Sequence, residues 1–355
     1  MATGFPVKGT GGATTYSANS VLSSSDLNDG FGSLNLLFNA QNSAGKNAII
    51  NGGQDIWQRG TSFTVNTSIY TADRWVLGGT NYGCTRESTV VPQGFTYSMK
   101  LLSTASTTFY VNQAIESLNA VNLAGQVVTL SAYVSGSVAV GMSFFVGWSA
   151  SVDNAASGTW TYLPTITGTS GTAGSFNRIS GQVTIPTTAK SVIVSIANTA
   201  AIASGVSVYL AGVQLELGSS ATPFSRAGGS SGGELALCQK YYWRENWDAQ
   251  TLYAIFGSGS ALSTTSTLLT IQFPVQMRVK PPVLDYPTPV GTYFNVVDAN
   301  SGGGAATSIG QDANQTTSYQ GAINAAVASG LTQFRPYLLR GNNSTGAYLG
   351  WSAEL

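Results

Sequence analysis

Val206, Val208 and Leu210 alternate with Ser207 and Tyr209, and Val213, Leu215 and Leu217 then continue the alternation in the opposite parity. Side chains of a strand point alternately to opposite faces. The switch between Ala211 and Gly212 therefore predicts one inserted residue, a β-bulge whose unusual dihedral glycine supplies. A second alternation sets Val128, Leu130, Ala132 and Val134 against Thr129, Ser131 and Tyr133, the pattern of a half-buried strand. Residues 143–148, 181–185, 191–196 and 206–217 repeat it, and Gly/Ser/Thr/Asn loops such as 151–158 and 167–176 separate them. Residues 47–60 read as a strand, a Gly-Gly turn and a second strand carrying Ile56 and Trp57. Nothing between 48 and 226 has a helical period, so this part is expected to be an antiparallel sandwich or barrel.

At residues 222–224 the Thr-Pro-Phe sequence forces an extended turn, and 227–233, with almost no side chain to bury, reads as a linker. Beyond it, 234–243 reads as one helical turn leading into a strand. Strand candidates follow at 251–256, 266–273, 283–284, 292–297, 322–327, 333–339 and 347–351, a second all-β unit expected to be another antiparallel sandwich. At the other end, residues 1–20 have no periodicity and would be ordered only against a neighbour. After three serines, Leu27, Phe31, Leu34 and Phe38 follow at spacings of four, three and four, one apolar stripe on a short helix. Two readings stay open for it: docking on its own domain, or a three-chain bundle at an attachment end. The expected division is 1–45 arm and helix, 46–226 sandwich, 227–233 linker and 234–355 C-terminal β domain.

Only 8% of the 355 residues are charged, while 43% are hydrophobic and 42 are glycine. An ordinary soluble chain is about one quarter charged. Small polar residues must cover this surface, which suits a symmetric oligomer better than a free monomer. With a net charge of zero there is no field for a nucleic-acid backbone. The apolar runs break well before the roughly 20 residues of a membrane span, and the N-terminus lacks an apolar signal core, so neither membrane insertion nor export is expected. Cys84 and Cys238 are expected to be buried free thiols.

The chain contains no histidine, which removes the usual zinc ligand and the general base of Ser-His and Cys-His catalysis. A glycosidase needs two carboxyls flanking one bond. Glu245 and Asp248 beside Trp243 and Trp247 form the most suggestive group and Asp285 near Tyr286 the next, yet a solvated turn and a β-edge loop account for them. Asp298 and Asp312 sit in Asp/Asn/Gly loops that lack the alternating acids of a calcium site and read as turns. The stretches GSGSA (257–261) and SGGGA (301–305) lack the lysine and the following helix of a phosphate loop. No catalytic residue, metal or cofactor is expected.

Four stretches share one resemblance. VQLELGSSATPFSR (213–226) followed by ELALCQKYY (234–242), then FPVQMRVKPP (273–282) and the terminal WSAEL, resemble segments of tailed-bacteriophage fibre and other virion structural proteins. INGGQDIWQRG (50–60) with YTADRW (70–75) is similar to the opening of jelly-roll modules in such proteins, which look like carbohydrate-binding modules. Trp57 and Trp75 with Arg59, Asp73 and Arg74 would then be either a sugar-binding cluster or a core corner with a satisfied ion pair. The likeness covers most of 47–355. It implies a jelly roll, a homotrimer and a non-enzymatic tail or baseplate fibre located in the virion. Its N-terminal arm would meet other virion proteins, and its C-terminal domain would meet host surface polysaccharide through Trp243, Trp247, Tyr253, Tyr319 and Tyr348. A capsid or collar decoration and a polysaccharide-degrading spike are the alternatives.

Overall fold

The computed structural model describes residues 45–246, 251–300 and 302–355. The apolar stripe Leu27, Phe31, Leu34 and Phe38, together with Trp247 and Asp248, lies outside the described residues.

The fold is all-β, with two seven-stranded sheets packed face to face in the first half. One sheet runs Ser62–Val65, Tyr82–Glu87, Ser98–Ser103, Ser207–Leu217, Val127–Gly136 and Gly171–Thr172, with Asn177–Thr184 also pairing Val127–Gly136. The other runs Ile166–Thr169, Gly141–Ser149, Ser191–Asn198, Phe109–Ile115, Val76–Gly79 and Ile69–Tyr70, with Thr161–Tyr162 on the edge of Gly141–Ser149. Val128, Leu130, Val134, Val194, Ile196, Val208 and Leu215 fill the space between them.

The parity switch is a bulge: the register against Val127–Gly136 shifts between Ala211 and Gln214, and Gly212 sits at φ 61°. A Cβ at Gly212 would meet the rings of Phe95 and Tyr133, so conformation and space both require glycine there. The bulge keeps Leu210 and Val213 in one core. Val127–Gly136 is buried more fully than its alternation predicts, since Thr129 and Ser131 are inaccessible as well as the apolar set. Residues 222–226 return over that polar face: Ser225 N–H donates to Gln214, and the Thr222 N–H donates to Glu216 at 2.9 Å.

Two expectations fail locally. Residues 47–60 form turns rather than two strands, because their polar groups are drawn inward: the Asn51 amide caps Ile56 and Asp73 carbonyls, and Trp57 Nε1 donates to Gln54 O. Of the stretch 227–233 read as a linker, 227–230 are a turn and 231–233 begin the nine-residue helix Ser231–Gln239, where the Ser230 hydroxyl accepts from Gly233 N–H as N-cap. Its two internal glycines are tolerated because Glu234, 1% exposed, anchors the first turn by accepting from the Gly228 and Asn51 N–H groups.

In the second half Ile255–Ala261, Ser266–Gln272, Gln320–Val327, Gly303–Gln311, Phe294–Val297 and Pro336–Gly341 close into a barrel, where a second sandwich was expected. Closure removes the sheet edges that a two-sheet arrangement would leave open. Phe256, Leu269, Phe294, Val296, Ile323 and Leu339 fill its interior. A three-stranded sheet, Tyr242–Glu245, Leu349–Ser352 and Val283–Asp285, lies beside it and faces the sandwich. Cys84 and Cys238 are buried free thiols.

Candidate functional site

Five of the segments that carry the resemblance, through residues 58–59, 70–74, 240–242, 278 and 353–355, meet at one place, the joint between sandwich and barrel. Asp73 is inaccessible and accepts from the Gln58 N–H and the Gln58 side-chain amide, which also donates to Tyr242 O at 2.8 Å. Burial pushes the Asp73 carboxyl up to about 6, against the opposing charge of Arg59. Arg59 lies over the Tyr242 ring at 3.6 Å and Arg74 over the Tyr241 ring at 3.6 Å, and both pair with Glu354. Arg278 adds contacts to Ala353 and Glu354, Nε donating to Ala353 O at 2.9 Å and Nη2 to Glu354 O at 3.0 Å, while its backbone N–H donates to Lys240 O. Tyr70 Oη donates to Leu355 O, and Lys240 pairs with Glu116 at 2.6 Å. Trp57 and Trp75 are 1% and 0% exposed, the core corner of the two readings. Its ion pair closes with a residue from the far end of the chain. This cluster has no surface for a sugar; it locks two β units together.

An exposed aromatic surface lies elsewhere, on the outer face of the sheet containing Phe109–Ile115. Phe109, Val111 and Ile115 point into the core, so Tyr110, Asn112 and Ala114 point outward. Tyr110 pairs with Gly78 across the ladder and its ring lies flat on that glycine, where a Cβ would meet ring atoms at 2.0 Å. Tyr162 pairs with Gly147 in the same way, its ring 3.0 Å from where a Cβ would stand. Each tyrosine therefore covers a bare stretch of backbone with one ring face and leaves the other to solvent, at 41% and 48% exposure. Phe145 packs edge-on against Tyr162, with ring centroids 5.7 Å apart. Burial raises the Tyr162 hydroxyl above the usual phenol range. Ser195 pairs with both Asn112 and Phe145 on the floor between them, and both polar side chains are buried there, at 7% exposure for Asn112 and 6% for Ser195. None of the strand positions on this face is acidic. The arrangement can stack on the apolar face of a ring; its strand positions offer no carboxyl group.

The five aromatics expected to touch glycan are not brought together. Trp243 is 6% exposed and stacks on Trp351 at 5.5 Å with Phe273 edge-on, so it is core rather than contact. Tyr348 is half-buried under Arg244, 3.2 Å from its ring centroid, with its hydroxyl on Asp285. Tyr253 and Tyr319 are exposed, at 48% and 60%. Trp247 is among the residues not described. Phe334, unflagged by its sequence, is 79% exposed at φ 66°, an outlier for a bulky residue. It stands on a barrel turn held by Phe334 N–H to Ala261 O and Thr332 N–H to the Tyr337 hydroxyl.

Acids are occupied elsewhere. Asp285 accepts from Tyr242 Oη at 2.8 Å, Asp298 from the Asn300 and Gly302 N–H groups and from Arg335, and Asp312 from the Asn314 and Gln315 N–H groups. These contacts hold the Asp298 and Asp312 carboxyls below the usual range, backbone N–H donation being the largest cause. Both are turn residues. Among the described residues no three His, Cys, Asp or Glu side chains gather as metal ligands, and no helix is long and apolar enough to cross a membrane.

No family model matches the chain, and no curated protein does. Solved structures similar to it include the enzymatically active domain of bacteriophage CBA120 tailspike protein 4, with 14% identity and a TM-score of 0.34 over 48% of this chain but 21% of that one. The carbohydrate-binding module TmCBM61 in complex with β-1,4-galactotriose is similar at 11% identity and a TM-score of 0.34, over 48% of this chain and 99% of that one. The C-terminal family 22 carbohydrate-binding module of Clostridium thermocellum Xyn10B is similar at 13% and 0.33, over 43% and 91%.

Proposed function

We propose that this chain is a non-enzymatic structural protein of a bacteriophage virion, a tail or baseplate fibre that attaches to glycans on the host surface. The observation that carries the glycan reading is the pair of solvent-facing tyrosine rings laid on Gly78 and Gly147, on a face whose strand positions carry no acid. The virion reading rests on the resemblance, whose segments build the joint. A fibre transmits force between its anchored and adhesive ends, and Arg59, Arg74, Arg278 and Glu354 tie the two units to one another at the joint. Binding through a few aromatics is weak per site, and several copies on one particle supply avidity.

Full-length protein is to be titrated against a panel of immobilised bacterial polysaccharides, with reducing-end release measured in parallel. Retention that is lost in a Tyr110→Ala, Tyr162→Ala double variant, without release, is the expected result. Release of reducing ends, or retention unaffected by the double variant, would overturn the reading of this face. Antibody against residues 234–355 should label the intact particle; labelling absent from purified virions would remove the structural role.

A further inference from the structure

The sheet containing Val127–Gly136, opposite the sheet that carries Tyr110 and Tyr162, has a cleft of about 370 Å³ on its outer face. Tyr133, Val91, Pro92, Gln93, Gly174 and Phe176 line it, and none of them is acidic. Ile179 pairs with Ala132 and both enter the core, so Arg178 and its register partner Tyr133 point outward together. The Arg178 guanidinium carbon lies 5.4 Å from the centre of the Tyr133 ring. Phe95 packs against the same ring at 5.6 Å, and Phe224 packs against Phe95 at 4.9 Å, so the ring in the cleft is held in place. A Cβ at Gly212 would meet both Phe95 and Tyr133. The bulge that resets the strand's parity thus also makes room for these rings.

Arg178 is a half-buried cation without a counter-ion. Its Nη2 donates to Ser131 Oγ at 2.9 Å and to Thr222 O, its buried Nε has no partner, and among the described residues no carboxylate pairs with it. Glu216, on the same outer face of the neighbouring strand, is buried and is taken up by Lys46 and by the N–H and hydroxyl of Thr222. A partly desolvated charge with no anion is costly, and a carboxylate is the group whose geometry a guanidinium matches best. We infer that this cleft takes a sugar ring bearing a carboxylate, a uronic acid unit of an acidic polysaccharide. The C–H face of the ring packs on the aromatic floor, and Arg178 answers the carboxylate. The inference rests on the glycan reading for the ligand being a sugar, and it uses neither Tyr110 nor Tyr162.

The test is titration of the full chain with trigalacturonate and with the same trisaccharide after reduction of its carboxyl groups. The acid is expected to bind about tenfold more tightly than the reduced form, and more weakly as salt is raised. Gln93 is exposed on the cleft wall, so Gln93→Glu sets an anion there without disturbing the core. It should weaken the acid about fivefold by like-charge repulsion and leave the reduced form as it was. Arg178→Gln should weaken the acid by a similar factor, with the thermal transition followed alongside because Ser131 and Thr222 lose a donor. Tyr110→Ala with Tyr162→Ala should leave trigalacturonate binding unchanged. No binding of the acid, equal affinity for the acid and the reduced form, no effect of Gln93→Glu, or a loss that follows the two tyrosines instead would each overturn the inference. The glycan reading of the other face fails on a different result, neutral polysaccharides retained equally by wild type and the tyrosine double variant.

Discussion

The joint and the aromatic face use opposite chemistry. At the joint charges are buried, and two of them, Arg59 and Arg74, are answered by Glu354 from the far end of the chain. On the face, rings lie on glycine backbone and no strand position carries an acid or a base. A protein with 15 acids and 15 basic residues in 355 has few ions to place, and it places several in assembly. Removing one member of a buried pair strands the other, which is why the joint tolerates little, whereas a ring on the surface can be exchanged with small structural cost.

The sharpest way to break this contrast is Glu354→Ala. Both arginines would lose their anion in a site where Arg74 is 2% and Glu354 is 5% exposed, so a loss of about 3–5 kcal/mol is expected in urea unfolding. A loss below about 1 kcal/mol would place the joint with ordinary surface pairs.

Next comes pH. Asp73 is pushed from 3.8 up to about 6, so the folded chain holds more protons than the unfolded one between these values. The stabilisation is complete below the ordinary value and disappears as pH rises through 6, a swing of up to about 3 kcal/mol for two pKa units. Glu234, also raised by burial, has the same sign. Stability is therefore expected to rise between pH 7 and pH 5, and Asp73→Asn to flatten that slope; a wild-type curve falling with acid would contradict it.

Smaller effects are expected at the surface. Tyr110→Ala and Tyr162→Ala should each weaken glycan retention roughly tenfold, about 1.4 kcal/mol, with thermal stability within about 1 kcal/mol of wild type. Phe334→Gly should leave stability unchanged or raise it by up to about 1 kcal/mol, since glycine accepts φ 66° without the penalty of about 1–2 kcal/mol that a side chain meets there, offset by its own entropy. A clear loss would mean that the ring packs in solution.

Patterning made the first unit legible: a single parity switch located the bulge at Gly212, and the alternation at 128–134 located a core strand. What it missed had little side-chain signal. Residues 257–261 and 303–311 are nearly all Gly, Ser, Ala and Thr, and become strands only because the barrel closes ladders on both sides of them. The burial of Thr129 and Ser131 comes from the return of 222–226, which no local window contains. Phe109–Ile115 carries large or apolar residues in both parities, so Tyr110 did not stand out as the outward one. Tryptophan at 243 and tyrosine at 348 stood out as binding residues for the same reason that they serve in the core: large, flat, and able to hold an arginine or another ring. The joint was visible as recognisable segments, but their meeting point was not, since Glu354 lies 280 residues from Arg74.

Scanning calorimetry of the full chain tests the coupling of sandwich and barrel most directly. One transition, whose calorimetric and van't Hoff enthalpies agree, is the result expected if Arg59, Arg74, Arg278 and Glu354 make a single body. Two separate transitions in the wild-type chain would contradict it.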